Sequence, residues 1–369
     1  MDFRPTAAQQ LLVNSARDFL RRRCPPELVQ ELAHDARGLP DGLWKEVSAL
    51  GWPGLLVPAE LCGSDGSLLD VILLVEEMGR VCFPGPYIQS AVVATSLIRS
   101  AGNRTQRERL LPAMAVGDRI ATLALTEESA SFEPDAVTLR GEPGGRLSGE
   151  KLFVKDAHLA HDLIVVARGG SGISLLLIEA DRPGISLSPM PTIAGEKLFE
   201  VAFDGVEVRE DDLLGAAGRG WEALLPALRA GALARSAEMV GGAAHILELC
   251  VEHARTRVQS GRPIGSFQAI QHYCADMLRH VDGARFLLYR AAWAMEQGED
   301  GAAGVAMAKA YASDACLAVA RRGHQILGAI GYCEEHPIHL FHKRIQAAGL
   351  DFGDAGLHLE TVAQAIGLA

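Results

Sequence analysis

The chain has 369 residues, of which 49% are hydrophobic, 5% aromatic and 22% charged, and its formal net charge is −11. This length allows two or three packed units, and the apolar content excludes a chain that is mostly disordered. The longest basic run is Arg21 to Arg23, so the sequence lacks the dense cationic face that a nucleic-acid-binding protein needs.

The cysteines and the N-terminus bear on the cellular compartment. The seven cysteines form neither a CxxC pair nor a zinc-ligand spacing, and residues 1–5 contain no apolar signal core. No apolar run approaches the length that spans a bilayer. We therefore expect reduced thiols in a cytoplasmic protein that does not bind membranes.

Residues 1–116 have the periodicity of helices. Leu12, Ala16 and Phe19 recur at helical spacing, and residues 71–80 and 88–101 form two further apolar stretches. The sequence therefore predicts an N-terminal helical domain over residues 1–116.

The pattern changes over residues 117–222. Phe199, Val201 and Phe203 alternate with less apolar residues, which predicts a half-buried strand. Short apolar runs at 164–166 and 175–178 are bounded by turn residues. Because no long helix separates these strands, we expect an antiparallel β-sandwich or barrel as the middle domain.

Residues 223–369 are helical again. Apolar residues recur in steps of three and four over 233–258 and over 270–295, a third helix is predicted at 302–327, and a last helical region follows Pro337. Long helices with such seams predict a C-terminal four-helix bundle. The expected fold class is α+β, with domains 1–116, 117–222 and 223–369.

A string of helix breakers joins the first two predicted bundle helices. It reads R-V-Q-S-G-R-P-I-G-S-F-Q over residues 257–268, with Arg257 and Gln268 beside the break. Such donors suit a phosphate or an adenine edge, and a capping or salt-bridge role is the alternative.

A second string, Q-I-L-G-A-I-G over residues 325–331, ends the third bundle helix. Gly328 and Gly331 would let a ligand or another chain approach the backbone closely. An ordinary glycine helix stop is the alternative interpretation.

Together these segments resemble the acyl-CoA dehydrogenase family. Residues 257–268 resemble its R-x-Q-F-G-x-P-I-x-x-F-Q motif, and residues 325–331 resemble its Q-x-x-G-G-x-G motif. Residues 123–127 (L-A-L-T-E) and 149–153 (G-E-K-L-F) resemble the family's A-x-T-E and G-x-K-x-W/F strand segments. The resemblance covers nearly the whole chain, and the order of the motifs matches the three regions.

The resemblance implies FAD as the cofactor. Four residues would contact or adjoin the flavin from the sheet side, with a lysine where the family has a hydroxyl: Leu125, Thr126, Phe153 and Lys155. Four others would hold the pyrophosphate and adenosine half of a flavin bound to an adjacent subunit: Arg257, Gln268, Gln325 and Gly328. An oligomer follows, because each cofactor would then need two chains.

The resemblance also implies a reaction. A carboxylate removes the proton next to the carbonyl of an acyl-CoA thioester, and hydride passes from the adjacent carbon to the flavin, which introduces an α,β double bond. An electron-transfer flavoprotein is the expected acceptor. The oligomer would contain one or two kinds of chain, as a dimer of dimers.

The expected catalytic base is displaced in this sequence. The family's base position falls about twenty-seven residues after Gln325, on Phe352, which cannot accept a proton. The substitutes are Asp351, Asp354 and Glu238, each of which could instead be a surface or capping carboxylate. The alternative function is a base-deficient subunit that completes the cofactor site of an α2β2 enzyme. This pattern resembles a branch of the family common in bacterial steroid and ring degradation.

One other constellation concerns metal binding. His336, His339 and His342 are spaced by three residues, as metal ligands on one helix face would be. Pro337 interrupts the set, and no carboxylate or cysteine completes it at ligand spacing. The sequence therefore predicts no metal site.

Overall fold

The computed structural model describes residues 4–299 and 301–368. The α-helices are α1 (Ala7–Arg23), α2 (Pro26–His34), α3 (Leu43–Ala49), α4 (Leu68–Gly79), α5 (Thr95–Ala101), α6 (Arg104–Ala115), α7 (Gly220–Thr256), α8 (Gln268–Glu296), α9 (Ala302–Leu327), α10 (Ile338–Leu350) and α11 (Ala355–Ala365). A π-helical segment, Tyr87–Ala94, leads into α5. Within the described ranges, no helix is long and apolar enough to cross a membrane.

The β-strands are β1 (Ala121–Ala124), β2 (Arg146–Lys155), β3 (Asp162–Gly169), β4 (Gly172–Glu179), β5 (Ile185–Met190), β6 (Leu198–Glu207), β7 (Leu213–Leu214), β8 (Val258–Gln259) and β9 (Arg262–Pro263). One sheet has the order β1-β3-β4-β7, a second has the order β2-β6-β5, and β8 and β9 form a hairpin.

The chain divides into two compact units. Unit 1 comprises residues 1–31, 68–83 and 232–369, and unit 2 comprises residues 32–67 and 84–231. Helix α7 belongs to both, because the division falls within it. Neither unit is a continuous segment of the chain.

Unit 2 contains the β-sandwich. Side chains of both sheets meet in one buried core that includes Leu147, Val165, Ile178, Val201 and Phe203. The period-two alternation of β6 thus places its apolar residues against the second sheet, as predicted. The pairing differs from the prediction at one place: β1 and β3 are parallel, because the chain passes through β2 in the other sheet between them.

Unit 1 contains the helical bundle. Helices α8, α10 and α11 pack against α9, and α7 meets α9 where Ile246 and Cys250 lie against Gly323. The third helix spans Ala302–Leu327, close to the predicted 302–327. The predicted bundle is present, with α11 as an additional short helix.

Helix α4 is buried on almost all sides within unit 1. Every residue from Val71 to Gly79 is buried, and glycines make its close crossing with α7 sterically possible. A Cβ at Gly79 would lie 2.2 Å from the Glu238 carbonyl oxygen, and a Cβ at Gly241 would lie 1.9 Å from the Glu76 carbonyl oxygen. Each helix therefore contributes one glycine to the crossing.

Candidate cofactor and catalytic site

The sheet-side candidates lie where the chain leaves β1 beside β2. The Thr126 hydroxyl donates to the Leu152 carbonyl at 2.6 Å, and the Leu152 N–H donates to the Thr126 carbonyl at 2.8 Å. Leu125 and Thr126 are buried. These two reciprocal bonds fix the backbone of the predicted flavin contacts to β2.

A buried ion pair supports the same segment. Lys151 is fully buried, and its Nζ donates to the Leu125 carbonyl at 2.9 Å and to Glu127 Oε1 at 2.6 Å. Glu127 also accepts from the backbone N–H groups of Thr138 and Leu139. Burial lowers the pKa of Lys151, and the ion pair with Glu127 opposes this shift. Burial alone would raise the pKa of Glu127. The hydrogen bonds of Glu127 to Lys151, Thr138 and Leu139 outweigh burial, so its pKa is lowered.

Phe153 lies on an irregularity of β2. The register of β2 against β6 shifts between Lys151 and Val154, and Phe153 has a φ of 58° there. The residue is 40% exposed, which is unusually high for a phenylalanine. The strand thus presents an aromatic ring from a backbone conformation that non-glycine residues rarely adopt.

Lys155 follows at the end of β2. Its Nζ lies 3.2 Å from Glu196 Oε1, and both side chains are about one-tenth exposed. The carbonyl of Lys155 accepts a hydrogen bond from the Thr122 hydroxyl at 2.7 Å. The predicted flavin-side lysine is therefore held by a carboxylate of its own unit.

In unit 1, Arg257 and Gln268 flank the hairpin between α7 and α8. The Ile264 N–H donates to the Arg257 carbonyl at 2.8 Å, which closes the hairpin at its base. Arg257 follows the end of α7, Gln268 begins α8, and both side chains are exposed. The N-cap of α8 is Phe267, which forms no side-chain capping hydrogen bond.

Gln325 and Gly328 lie at the C-terminal end of α9. Gln325 is exposed, and Gly328 has a φ of 65° with no heavy atom within 4 Å of an added Cβ. The backbone here is held by His324, whose Nδ1 donates to the Gly331 carbonyl at 2.7 Å. Open space therefore faces the glycine, as a closely approaching ligand requires.

Phe352 occupies a constrained loop between α10 and α11. It is buried, with 5% of its surface exposed, and its φ is 58°. His358 Nε2 donates to its carbonyl at 3.0 Å, and Lys309 Nζ donates to the carbonyls of Gly349 and Gly353 at 2.8 and 3.1 Å. Bonds on both sides of Phe352 therefore fix the loop at the position expected for a base.

Two of the three candidate bases, Glu238 and Asp351, lie together around Arg235. Arg235 donates through Nε to Asp351 at 2.7 Å and through Nη1 to Glu238, and Arg344 donates to the second oxygen of Glu238 at 3.0 Å. Arg235 and Glu238 are both buried. Each oxygen of Glu238 thus already accepts a charge-assisted hydrogen bond.

The third candidate, Asp354, caps helix α11. Its Oδ1 accepts from the Leu357 N–H at 2.9 Å, and its side chain is exposed. Lys309 lies within the field of Asp351 and Asp354, and burial lowers its pKa to about 8. The structure thus brings the three carboxylates to one region of unit 1, where Asp351 and Glu238 pair with arginines and Asp354 caps a helix.

Arg235, Arg344 and Lys309 were not singled out from the sequence. The pair Arg235 and Glu238 has the three-residue spacing of neighbours on one helix face, within a stretch of α7, residues 230–244, that is otherwise small or apolar. A charged pair inside such an apolar seam was the available signal. The partner Asp351 is 116 residues away, which no local pattern reports.

The side chains present fit FAD. Unit 1 offers an exposed guanidinium, two exposed amides and an open glycine, which suit a pyrophosphate and an adenosine. Unit 2 offers an exposed aromatic ring beside a rigid backbone segment, which suits a planar ring system. Across the described ranges, no group of three His, Cys, Asp or Glu side chains is arranged to hold a metal ion.

Comparison with known proteins gives the family. The sequence profiles that match are "Acyl-CoA dehydrogenase, N-terminal domain" over residues 6–118 and "Acyl-CoA dehydrogenase, C-terminal domain" over residues 218–367. A Bacillus subtilis (strain 168) acyl-CoA dehydrogenase is 30% identical over 348 residues, covering 90% of this chain and 91% of the relative.

Two solved structures are similar over the full length of both chains. The ChsE4-ChsE5 complex from Mycobacterium tuberculosis has a TM-score of 0.92 at 26% identity, and the FAD complex of PigA has a TM-score of 0.90 at 25% identity; in each, 100% of both chains is covered. The chain therefore belongs to the acyl-CoA dehydrogenase family of oxidoreductases, and its cofactor is FAD.

Proposed function

We propose that this chain is the flavin-binding, base-deficient subunit of a hetero-oligomeric acyl-CoA dehydrogenase. A partner chain supplies the carboxylate that removes the proton next to the thioester carbonyl. The assembly is cytoplasmic, introduces an α,β double bond into an acyl-CoA thioester, and passes electrons to an electron-transfer flavoprotein. The similarity in fold to the ChsE4-ChsE5 complex supports an assembly of two kinds of chain.

The observation that carries the proposal is the loop at Phe352. A buried phenyl ring occupies the base position, and Asp351 beside it is held by Arg235. Both oxygens of Glu238 likewise accept hydrogen bonds, one from Arg235 and the other from Arg344. A general base must be oriented toward the substrate proton, and these two carboxylates are oriented by hydrogen bonds to arginines.

The cofactor residues divide between two roles. Leu125, Thr126, Phe153 and Lys155 would contact the flavin bound by this chain. Arg257, Gln268, Gln325 and Gly328 would hold the adenosine diphosphate half of the flavin bound to an adjacent subunit. The flavin supplies the acceptor for the hydride, while this chain orients the ring and excludes water from it.

A second candidate is a self-sufficient dehydrogenase with Asp354 as the base. Asp354 favours it because its side chain is exposed and its cap on α11 uses only Oδ1. The amide variant Asp354→Asn keeps a cap oxygen and cannot take up a proton. Asp351→Asn and Glu238→Gln are the matched variants at the two arginine-bound carboxylates.

The test begins with the visible absorbance spectrum of the chain purified alone and together with a co-expressed partner. Acyl-CoA thioesters, both fatty and steroid-derived, are then added without oxygen. We expect a flavin spectrum that bleaches only in the presence of the partner, and that is unaffected by Asp354→Asn. Bleaching of the chain alone that disappears in Asp354→Asn would refute the base-deficient assignment and establish the second candidate.

A further inference from the structure

A separate cavity of unit 1 lies between the C-terminal half of α9, the turn that follows it, and α10. Its volume is about 380 Å³, at the lower end of the range for small-molecule sites. The lining residues are Arg321, His324, Tyr332, His339, His342, Lys343 and Gln346. None of the residues proposed to hold the flavin lines this cavity, although His324 directly precedes Gln325.

The cavity is cationic in a chain whose net charge is −11. Its lining contains one arginine, one lysine and three histidines, and no carboxylate. Among residues 4–299 and 301–368, no carboxylate forms an ion pair with Arg321 or Lys343, whereas the neighbouring Arg322 is paired with Asp276 at 3.2 Å. Two unpaired cations that face one cavity attract an anion.

A pair of histidines gives the cavity a defined hydrogen-bond polarity. His324 Nδ1 must carry the proton, because its partner at 2.7 Å is the Gly331 carbonyl oxygen. In the neutral pair, His324 Nε2 therefore accepts from His342 Nδ1 at 2.8 Å, and His342 Nε2 has no proton. If one proton is added to either ring, the hydrogen bond to the Gly331 carbonyl and the hydrogen bond between the two rings are both kept. In either case His342 Nε2 then carries a proton and can donate.

Burial and the charges around His342 disfavour its protonated form. Burial lowers its pKa, and His324 and Arg321 on α9 lower it further. Lys343 and His339 lie on α10 and line the cavity with His342, and Tyr332 lines it from the turn. Glu334 is a carboxylate whose charge raises the pKa of the neighbouring His339.

His339 does not share this role. Its Nε2 lies 3.2 Å from the Glu334 carbonyl, and its Nδ1 is buried without a partner. A proton on Nδ1 would be a buried donor without an acceptor, which is unfavourable. His342 is therefore the imidazole that can respond to a ligand.

We propose that this cavity binds a phosphate ester, with the phosphate dianion between Arg321 and Lys343 and hydrogen-bonded by protonated His342. The charge of a tetrahedral dianion is matched by the two cations, Arg321 and Lys343, and one of its oxygens can accept a hydrogen bond from His342 once that ring is protonated. The volume exceeds what one phosphate group fills, and Gln346 and the exposed ring of Tyr332 offer contacts to the rest of an ester. Binding takes up a proton from solvent, so affinity rises as the pH falls.

The test is calorimetric titration of the intact protein with three probes: sulfate, inorganic phosphate and glycerol 3-phosphate. Sulfate keeps its charge between pH 6 and pH 8, so any change in its affinity reports the protein alone. We expect sulfate to bind about tenfold more tightly at pH 6 than at pH 8, and His342→Asn to remove that dependence. We expect Arg321→Gln with Lys343→Gln to weaken all probes at least about tenfold, and the control Arg322→Gln to leave them unchanged.

Each outcome decides the proposal. Tighter binding of glycerol 3-phosphate than of inorganic phosphate supports an ester site, and equal or weaker binding overturns it. An Arg322→Gln effect as large as that of the double variant would mean general charge attraction and overturn the proposal. Loss of flavin absorbance in the double variant would assign the cavity to the cofactor site and would also overturn the proposal. This outcome can be read whether or not a partner subunit supplies the catalytic base.

Discussion

Replacing Lys151 by methionine tests whether the buried ion pair holds the flavin-side segment of unit 2. Lys151 is fully buried, so Lys151→Met removes the ammonium partner of Glu127 while keeping an apolar chain of similar length. Removing one partner of a buried pair costs about 3–5 kcal/mol in free energy of unfolding. Because Glu127 retains its bonds to Thr138 and Leu139, we expect the lower end, about 3 kcal/mol.

The assay is urea unfolding followed by tryptophan fluorescence. Trp44, Trp52 and Trp221 all belong to unit 2, so the signal reports chiefly the unit that contains the pair. The matched control is Lys45→Met, an exposed lysine of the same unit, for which we expect a change below about 0.5 kcal/mol. A cost of less than about 1 kcal/mol for Lys151→Met would refute the reasoning.

A double-mutant cycle separates the charge effect from packing. Glu127→Gln removes the carboxylate that Lys151→Met leaves unpaired, so the double variant should lose less than the sum of the single losses. The pKa of Glu127 is lowered from its ordinary value of 4.5, so its contribution is complete above pH 4.5 and is lost as the pH falls through its folded value. The cost of Lys151→Met should therefore shrink on acidification, and a cost independent of pH would contradict the ion-pair explanation.

Three further predictions concern unit 1. Lys309 has a pKa of about 8 in the folded protein against an ordinary value of 10.5, so its charge lowers the free energy of unfolding by about 3 kcal/mol below pH 8, and this cost disappears as the pH rises to 10.5. The wild type should therefore gain stability relative to Lys309→Met in urea unfolding between pH 8 and pH 10. A stability difference that stays constant over this range would contradict the prediction. Gly241→Ala places a Cβ 1.9 Å from a backbone oxygen of α4 and should cost about 3 kcal/mol or more in free energy of unfolding, measured by thermal unfolding. The control Gly242→Ala, whose added Cβ would have its nearest atom at 3.5 Å, should cost less than about 1 kcal/mol. Equal losses would show that the crossing of α4 and α7 is not tight. Phe352→Glu should let acyl-CoA bleach the flavin of the chain without its partner, and an unchanged spectrum in a folded, flavin-loaded variant would show that the loop does not face the substrate.

The fold was predictable where local pattern and burial agree. The third bundle helix was predicted at 302–327 and α9 spans Ala302–Leu327, and the β6 strand followed from alternation of Phe199, Val201 and Phe203. The parallel pairing of β1 with β3 was not predictable, because it depends on the route of the chain through the second sheet. The division into domains 1–116, 117–222 and 223–369 stays a prediction, since the compact units are discontinuous.

The candidate site was predictable only as far as motifs reach. The exposed Arg257, Gln268 and Gln325 were identified by their motifs, and their roles toward FAD stay predictions. The carboxylates were identified by counting along the chain, which could not show that Arg235 joins Glu238 to Asp351. The contacts of Arg235 with Asp351 and of Arg344 with Glu238 join residues that are 116 and 106 positions apart, so only the folded chain reveals them.

The discontinuity of unit 1 has a consequence for the order of events during synthesis. Helix α4 is buried against α8 and against the part of α7 around Glu238 and Gly241, and the ribosome makes both only after residues 84–231. At about 5–20 residues per second, the roughly 200 residues between α4 and the end of α8 take about 10–40 s to translate. Until α8 is complete, part of the apolar surface of α4 lacks its final partners, and we expect the nascent chain to offer a long-lived binding site for chaperones.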